Sequence, residues 1–358
     1  MPRDFDALMR PPRISVLLPV WNAERYVGET LASLRGQTFG DFEVVVVDDG
    51  STDRTPEILA AQSGDPRVRI FRQENRGLVG ALTAGLEHCR ADYVARIDAD
   101  DCAHPDRLRL QLEYLEKHPG VLALGSNLEL IDECGRPAGL KDYPVGEERA
   151  TAAMADGCSL AHPAVMMRKA AVVAAGGYRE CCRHAEDYDL WLRLIEAGAV
   201  DNLPQRLLRY RVHAGSVTRK HGARQTMAAM AARVAHLRRK AGRPDPLVGI
   251  GRPLRPEDLE RLSLSDKEEA WFMPSLFGLR GEEGEGSAEV QLLLRRSWSL
   301  REHLRRGVLV RHCLVPGSVE LLRGGHARPA LGWMARSLLT EPFSAAWTTA
   351  RLLLGGRG

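Results

Sequence analysis

The segment Phe42-Glu43-Val44-Val45-Val46-Val47 constrains this chain most. A run of four valines has no polar face to turn to water. It reads as a strand covered on both sides, which is the situation of a parallel sheet flanked by helices. The neighbouring sequence supplies the rest of that pattern. Ile14–Val20 reads as a strand, and Glu24–Leu34 as a helix with Tyr26, Val27, Leu31 and Leu34 on its apolar side. A helix is expected from about Thr55, a strand at Val68–Phe71, a helix from Gly77 to about His88 and a strand at Tyr93–Ile97. This β-α-β-α-β-α-β order predicts an α/β, doubly wound sheet. Such sheets take ligands at the carboxyl ends of their strands.

From about residue 106 the pattern changes. A helix at Asp106–Lys117 leads to a strand at Val121–Gly125, and Asn127–Asp132 alternates like an edge or antiparallel strand. A further strand at Ala164–Met167 makes the second half of the sheet mixed. A helix at 223–241 is followed by a Pro/Gly-rich break, so a domain boundary is placed near 222. The remainder reads as mainly helical, with a loop at Gly281–Gly286.

Two predicted strands end in carboxylates: Asp48-Asp49 and Asp98-Ala99-Asp100-Asp101. Such a cluster at a buried strand end is costly without a positive partner. A hard divalent cation carrying a diphosphate would meet that need. After Asp49, Gly50-Ser51 lets backbone approach a ligand closely. Asp49 is expected to contact that ligand, and Ser51 and Asp53 to cap a turn or helix. Arg76, at the start of the third helix, reads either as a phosphate contact or as a surface residue. Asp101 is expected to cap the helix that follows.

In order along the chain, the motifs are Pro19-Val20-Trp21-Asn22, Val47-Asp48-Asp49-Gly50-Ser51-Thr52-Asp53, Asn75-Arg76-Gly77 and Asp98-Ala99-Asp100-Asp101. Then come His162-Pro163, Gly176-Gly177-Tyr178-Arg179, Ala185-Glu186-Asp187-Tyr188-Asp189-Leu190-Trp191 and Tyr210-Arg211-Val212-His213-Ala214-Gly215-Ser216. This series resembles the family 2 glycosyltransferases, which have the GT-A fold, over about residues 12–220. The resemblance implies a catalytic domain at 12–222 and a helical extension at 223–358. It implies that Pro19, Val20, Trp21 and Asp49 hold the nucleoside of a nucleotide-sugar donor. Arg76, Asp98 and His213 would also contact the donor, and Asp98 and Asp100 would bind Mg²⁺ or Mn²⁺. Asp187 would be the base that takes the proton of a hydroxyl acceptor, inverting the anomeric centre. The Q-x-x-R-W signature of processive synthases is absent, since Leu203-Pro204-Gln205-Arg206-Leu207 does not supply it. Single sugar addition in bacterial glycan or polysaccharide assembly is therefore expected.

Other classes fit less well. A net charge of +3 argues for no nucleic-acid partner. No G-x-G-x-x-G follows the first strand, against a dinucleotide oxidoreductase. The loop Trp21-Asn22-Ala23-Glu24-Arg25 lacks the Gly-rich basic character of a nucleotidyltransferase. A non-catalytic scaffold with the same fold is the alternative from another class. Seven scattered cysteines without a C-x-x-C pair predict free thiols in a reducing cytoplasm. No signal-peptide core is seen at the start, and no apolar run reaches the ~18 residues of a membrane span. Arg-rich segments with Trp298, Trp333 and Trp347 suggest either helical packing, dimerisation, or peripheral contact with the inner face of a membrane and a lipid-linked acceptor.

Overall fold

The computed structural model describes residues 10–62, 64–155, 157–213, 222–255 and 258. The loop at 281–286 and the Trp-bearing basic segments lie outside the described residues. Two compact units divide the chain, Met1–Ser216 and Val217–Gly358.

The first unit runs β1 (Ile14–Val20), α1 (Val27–Arg35), β2 (Phe42–Asp48), α2 (Thr55–Ala60), β3 (Val68–Arg72), α3 (Gly77–His88), β4 (Tyr93–Arg96) and β5 (Cys102–Ala103). It continues with α4 (Arg107–Lys117), β6 (Val121–Ile131), β7 (Pro137–Lys141), α5 (Glu147–Ala153), β8 (Met166–Arg168), α6 (Lys169–Ala174), α7 (Glu186–Leu194) and β9 (Ala199–Arg211). In the second unit α8 (Gly222–Lys240) is described.

The strands form one sheet in the order β3-β2-β1-β4-β8-β6-β9-β5, with β7 paired to β6. β3, β2, β1 and β4 are mutually parallel, as the valine run requires. All seven residues of β1 and of β2 are buried. Helix α3 sits on these strands through Gly85, where a Cβ would fall 2.2 Å from Leu17 Cδ1 and 3.0 Å from Val47 Cγ2. The hydrophobic core joins β1, β2, α1, α4, β6 and β8 around Ile14, Leu18, Val46, Leu112, Leu124 and Met166.

Four features depart from the sequence reading. Helix α1 begins at Val27 rather than Glu24, because residues 24–26 form a turn in which the Tyr26 and Val27 N–H groups both donate to the Ala23 carbonyl, and Tyr26, at φ −127°, is off the helical conformation. Val121–Ile131 is a single strand, not two, and it lies inside the sheet between β8 and β9. Strand β9 was not foreseen; it runs parallel to β6 with register shifts that absorb Pro204. The exposed hairpin strand β7 was not foreseen either.

Candidate active site

The carboxyl ends of β1 and β2 form one built loop system. The Asp49 N–H donates to the Val20 carbonyl at 2.9 Å. Asn22 holds a left-handed φ of 47°, which lets its N–H reach Ser51 Oγ at 3.0 Å while its Oδ1 accepts from Thr52 N at 2.8 Å. Asp48 accepts from Ser51 N at 2.9 Å. Asp49 is buried and accepts from Gln73 Nε2 at 2.6 Å and Arg76 N at 2.9 Å. Gly50 has φ 75° and a Cβ there would lie 2.9 Å from Asn75 N, so only glycine fits. Asp53 accepts from Thr55 N at 2.9 Å and closes the turn ahead of α2, whose N-cap position is Arg54, whereas Ser51 ties the loop to Asn22. Burial alone would raise the Asp53 pKa, but the hydrogen bonds from Thr55 and Glu24 hold it below its usual value. Pro19 and Val20 are buried in β1, and Trp21 next to them is 58 % exposed. Arg76 is exposed, and its backbone rather than its guanidinium meets Asp49.

The end of β4 is built differently. Ligand oxygens of Asp98, Asp100 and Asp101 all lie within 4.8 Å of one another. Three buried guanidiniums surround them: Arg96, Arg107 and Arg211. Arg96 grips Asp98 with both η nitrogens, at 2.5 and 2.7 Å. Arg107 donates to the Arg96 carbonyl at 2.6 Å and to Gln111 at 3.1 Å. Arg211 donates through its N–H to Asp101 Oδ1 at 2.9 Å and through Nε to the Asp100 carbonyl at 2.8 Å. His213 Nε2 meets Asp100 Oδ2 at 2.9 Å. Burial pushes the Asp98 carboxyl up, with Asp100 adding to the shift and Arg96 opposing it. Burial pushes Asp101 up further, and Asp100 and Asp98 add to it.

Asp101 does not cap the following helix, contrary to expectation. Asp106 stands before α4, and Asp101 turns inward to Arg211 across 110 residues of sequence. Its Oδ2 is buried with no hydrogen-bond donor. That orphan oxygen, with the hard carboxylate donors beside it, suits Mg²⁺ or Mn²⁺. The donor set therefore fits the expected cation. Both oxygens of Asp98 are already committed to Arg96, which leaves Asp100, Asp101 and the imidazole of His213 as the closer group.

Helix α7 opens with Glu186 and Asp187. Asp187 accepts from the Tyr188 N–H at 2.7 Å. Burial raises its pKa, and it feels both Arg96 and Asp98. Glu186 is 5 % exposed, its Oε2 has no donor, and burial with Asp187 beside it pushes its pKa up to about 7. Arg96 acts on Asp98, Glu186 and Asp187 together, so it is the cation between the β4 loop and the helix. Tyr143 and the exposed Cys158 also feel the Asp187 charge.

Asp189 does other work. It is fully buried and accepts from Arg179 Nε at 2.9 Å and from Arg193 Nη2 at 2.7 Å. Arg193 Nη2 also donates to the Gly177 carbonyl at 2.7 Å, so the Gly176-Gly177 turn is moored to α7. His162 is buried against Tyr178, at 3.0 Å from its hydroxyl, and burial holds its imidazole well below its usual pKa, hence neutral. Sequence reasoning missed Arg96, Arg107 and Arg211. The one local signal was an arginine inside an otherwise apolar strand, Tyr93–Ile97.

The comparisons with known proteins agree on one family. The family model for glycosyl transferase family 2 matches residues 15–173. EpsE of Bacillus subtilis (strain 168) is 36% identical over 192 residues, covering 52% of this chain and 68% of that protein. The amylovoran biosynthesis glycosyltransferase AmsE of Erwinia amylovora is 34% identical over 213 residues, covering 58% and 79%. Among solved structures, S. aureus TarS 1-349 in complex with UDP-GlcNAc superposes with a TM-score of 0.58 at 18% identity, over 96% of this chain and 92% of that one. At that identity the likeness speaks for the fold, a GT-A arrangement.

Proposed function

The chain belongs to glycosyltransferase family 2, and from that premise we propose an inverting, metal-dependent transferase that moves a sugar from a nucleoside-diphosphate sugar to a hydroxyl acceptor in glycan or polysaccharide biosynthesis. The observation that carries this reading is Arg96 acting on both the Asp98–Asp101 cluster and the Glu186-Asp187 helix start, at the end of the sheet to which the carboxyl ends of the parallel β1, β2 and β4 all point. The buried, hydrogen-bonded Asp49, the crowded carboxylate trio and the helix-borne Asp187 would serve a base, a diphosphate and an acceptor in turn.

In this mechanism Pro19, Val20, Trp21 and Asp49 hold the nucleoside, and Arg76 lies on the rim. Asp100, with His213 and the orphan oxygen of Asp101, would hold the cation, while Asp98 faces the donor from its clamp on Arg96. Bound there, Mg²⁺ or Mn²⁺ would neutralise charge on the departing nucleoside diphosphate. Asp187 accepts the proton of the acceptor hydroxyl as its oxygen bonds to the anomeric carbon and the bond from that carbon to the diphosphate breaks. Attack from the side opposite the diphosphate inverts the anomeric centre. Glu186, taking a proton near neutrality, keeps the pair from carrying two charges at once.

TarS is described in complex with UDP-GlcNAc, and a nucleotide sugar of that kind is the donor class we extend to this chain. We assign acceptor recognition to loops within residues 133–160 and 178–185. Residues 12–222 are taken as the catalytic domain. Residues 223–358 are taken as an extension for packing, dimerisation or contact with the inner face of the membrane in a cytoplasmic enzyme. Among the described residues, no helix is long and apolar enough to cross a membrane.

The test is a panel of UDP-, GDP- and dTDP-sugars, with and without Mn²⁺, on wild type, Asp100→Ala and Asp187→Asn. Metal-dependent binding of one donor, lost in Asp100→Ala and kept in an inactive Asp187→Asn, is the expected outcome. No binding of any donor under any condition would turn the reading to a non-catalytic scaffold.

A further inference from the structure

Three carboxylates within 4.8 Å repel one another and, left alone, would splay the loop that bears them. Something has to hold residues 98–101 in place before any cation arrives. Arg96 neutralises Asp98 and the Asp101 N–H turns onto the Asp98 carbonyl at 3.3 Å, but neither holds the Asp100 peptide oxygen or the Asp101 carboxylate. The remaining hold comes from the end of β9.

Arg211 is about 2 % exposed and uses every nitrogen of its side chain. Nε donates to the Asp100 carbonyl at 2.8 Å, and Nη2 to Glu29 of α1 at 2.6 Å. Nη1 donates to the carbonyls of Asp132 and Glu133, at 3.2 and 3.3 Å, in the turn between β6 and β7. Its guanidinium lies over the Tyr26 ring, 4.4 Å from the centroid. Its own N–H completes the grip on Asp101. Two residues on, His213 takes the Asp100 carboxylate, so alternate residues of one strand end hold the same aspartate by its peptide and by its side chain. A lysine has the charge but not the planar fork that spans three chain segments.

We propose that Arg211 is a positioning residue of the transferase. It fixes the peptide of Asp100 and the carboxylate of Asp101, and so sets the geometry in which Asp100 and His213 receive the divalent cation. It touches neither donor nor reacting atoms. The inference rests on the metal-dependent reading above and adds to it the group that holds the loop.

The experiment measures Mn²⁺ binding by the full chain directly, from the electron paramagnetic resonance signal of free Mn²⁺, in wild type, Arg211→Lys and Glu29→Gln. Melting temperatures are recorded alongside. A folded Arg211→Lys should bind Mn²⁺ about 10- to 100-fold more weakly, the range seen when a group orienting metal ligands is removed. Its turnover at saturating Mn²⁺ should return to within about threefold of wild type, because the chemical groups are intact. Wild-type Mn²⁺ affinity in a folded Arg211→Lys overturns the inference and leaves the transferase reading standing. No Mn²⁺ binding by wild type overturns the metal reading first. If Arg211→Lys does not fold, Glu29→Gln decides. It removes one outer partner of the guanidinium on an exposed helix face and should weaken Mn²⁺ by about two- to fivefold. An unchanged affinity there assigns Arg211 a structural role only.

Discussion

Two acidic loops close adjacent regions of the same sheet, and they solve opposite problems. In residues 48–53 each aspartate receives N–H donors from its surroundings: Ser51 for Asp48, Gln73 and Arg76 for Asp49, Thr55 and Glu24 for Asp53. The loop is complete as it stands. In residues 98–101 three carboxylates face one another, Asp98 and Asp101 are pushed toward protonation, and one buried oxygen has no donor. That loop is held by Arg96 at the end of its own strand and by Arg211 from the far end of β9, and on the proposed reading a cation completes it. The first loop presents a fixed shape to a ligand; the second presents unmet charge.

The contrast can be broken most decisively through activity. Asp100→Ala or chelation should lower turnover by at least about 10²-fold, and Asp187→Asn should cost about 10²–10⁴-fold in kcat, as loss of a general base does. Donor binding should survive only in Asp187→Asn. Comparable donor binding in both variants, measured by calorimetry, would erase the distinction between the loop and the helix.

The same contrast recurs inside α7, two residues apart. Asp189 is a satisfied carboxylate between two arginines, whereas Asp187 is not. Asp189→Ala removes the carboxylate shared by the buried Arg193 and the half-buried Arg179 and should cost about 3–5 kcal/mol by urea unfolding. Asp187→Asn should unfold within about 0.5 kcal/mol of wild type, as substitutions outside such networks do. A reversal of this order would sink the assignment of roles.

A pH experiment sharpens it next. The Glu186 pKa is raised to about 7 in the fold, so the folded state holds a proton that the unfolded chain has already lost. The stability tied to that proton is full below the unfolded carboxylate value and is lost as pH rises through about 7. Asp53 and Asp189 lie below their usual values and are ionised throughout this range, so they do not oppose the trend. The buried His162, held neutral, works against this trend up to the ordinary imidazole value, so the readout is a difference: between pH 5 and pH 8 the metal-free melting temperature of wild type should fall relative to that of Glu186→Gln. A slope unchanged in that variant would refute the assignment. The smallest effect belongs to the first loop. Asp53→Ala should cost about 1 kcal/mol, as loss of its turn-closing hydrogen bonds does, with turnover almost untouched.

Legibility in the sequence followed the same division. β1, β2 and the 48–53 loop were readable because their partners are near in sequence or imposed by continuous apolar runs. β9 was hidden because Ala199-Val200-Asp201-Asn202-Leu203-Pro204-Gln205-Arg206 has neither alternation nor an apolar run, and register shifts against β6 accommodate it. β7 was hidden because Pro137-Ala138-Gly139-Leu140-Lys141 is wholly exposed and looks like a loop. Asp101 was misread because local capping logic cannot see Arg211, 110 residues away. The role of Arg211 needed the fold, since Glu29, Asp100 and Asp101 lie more than a hundred residues from it; Arg96 and Arg107 each have one partner close by, Asp98 and Gln111, but their burial beside the acidic loop shows only in the fold.

The distance in sequence between Asp100 and Arg211 also sets an order of events during synthesis. The acidic loop leaves the ribosome 111 residues before the side chain that grips it, and β6 is complete long before β9 arrives to pair with it. Ribosomes add about 5–20 residues each second, so the loop waits for seconds without its clasp. The parallel strands β1 to β4 are by then available to fold. If Arg211 positions the cation site as proposed, competence to take up a cation is acquired last, once nearly all of Met1–Ser216 has been translated, and a nascent chain stalled short of Arg211 would carry the motif without the means to hold it.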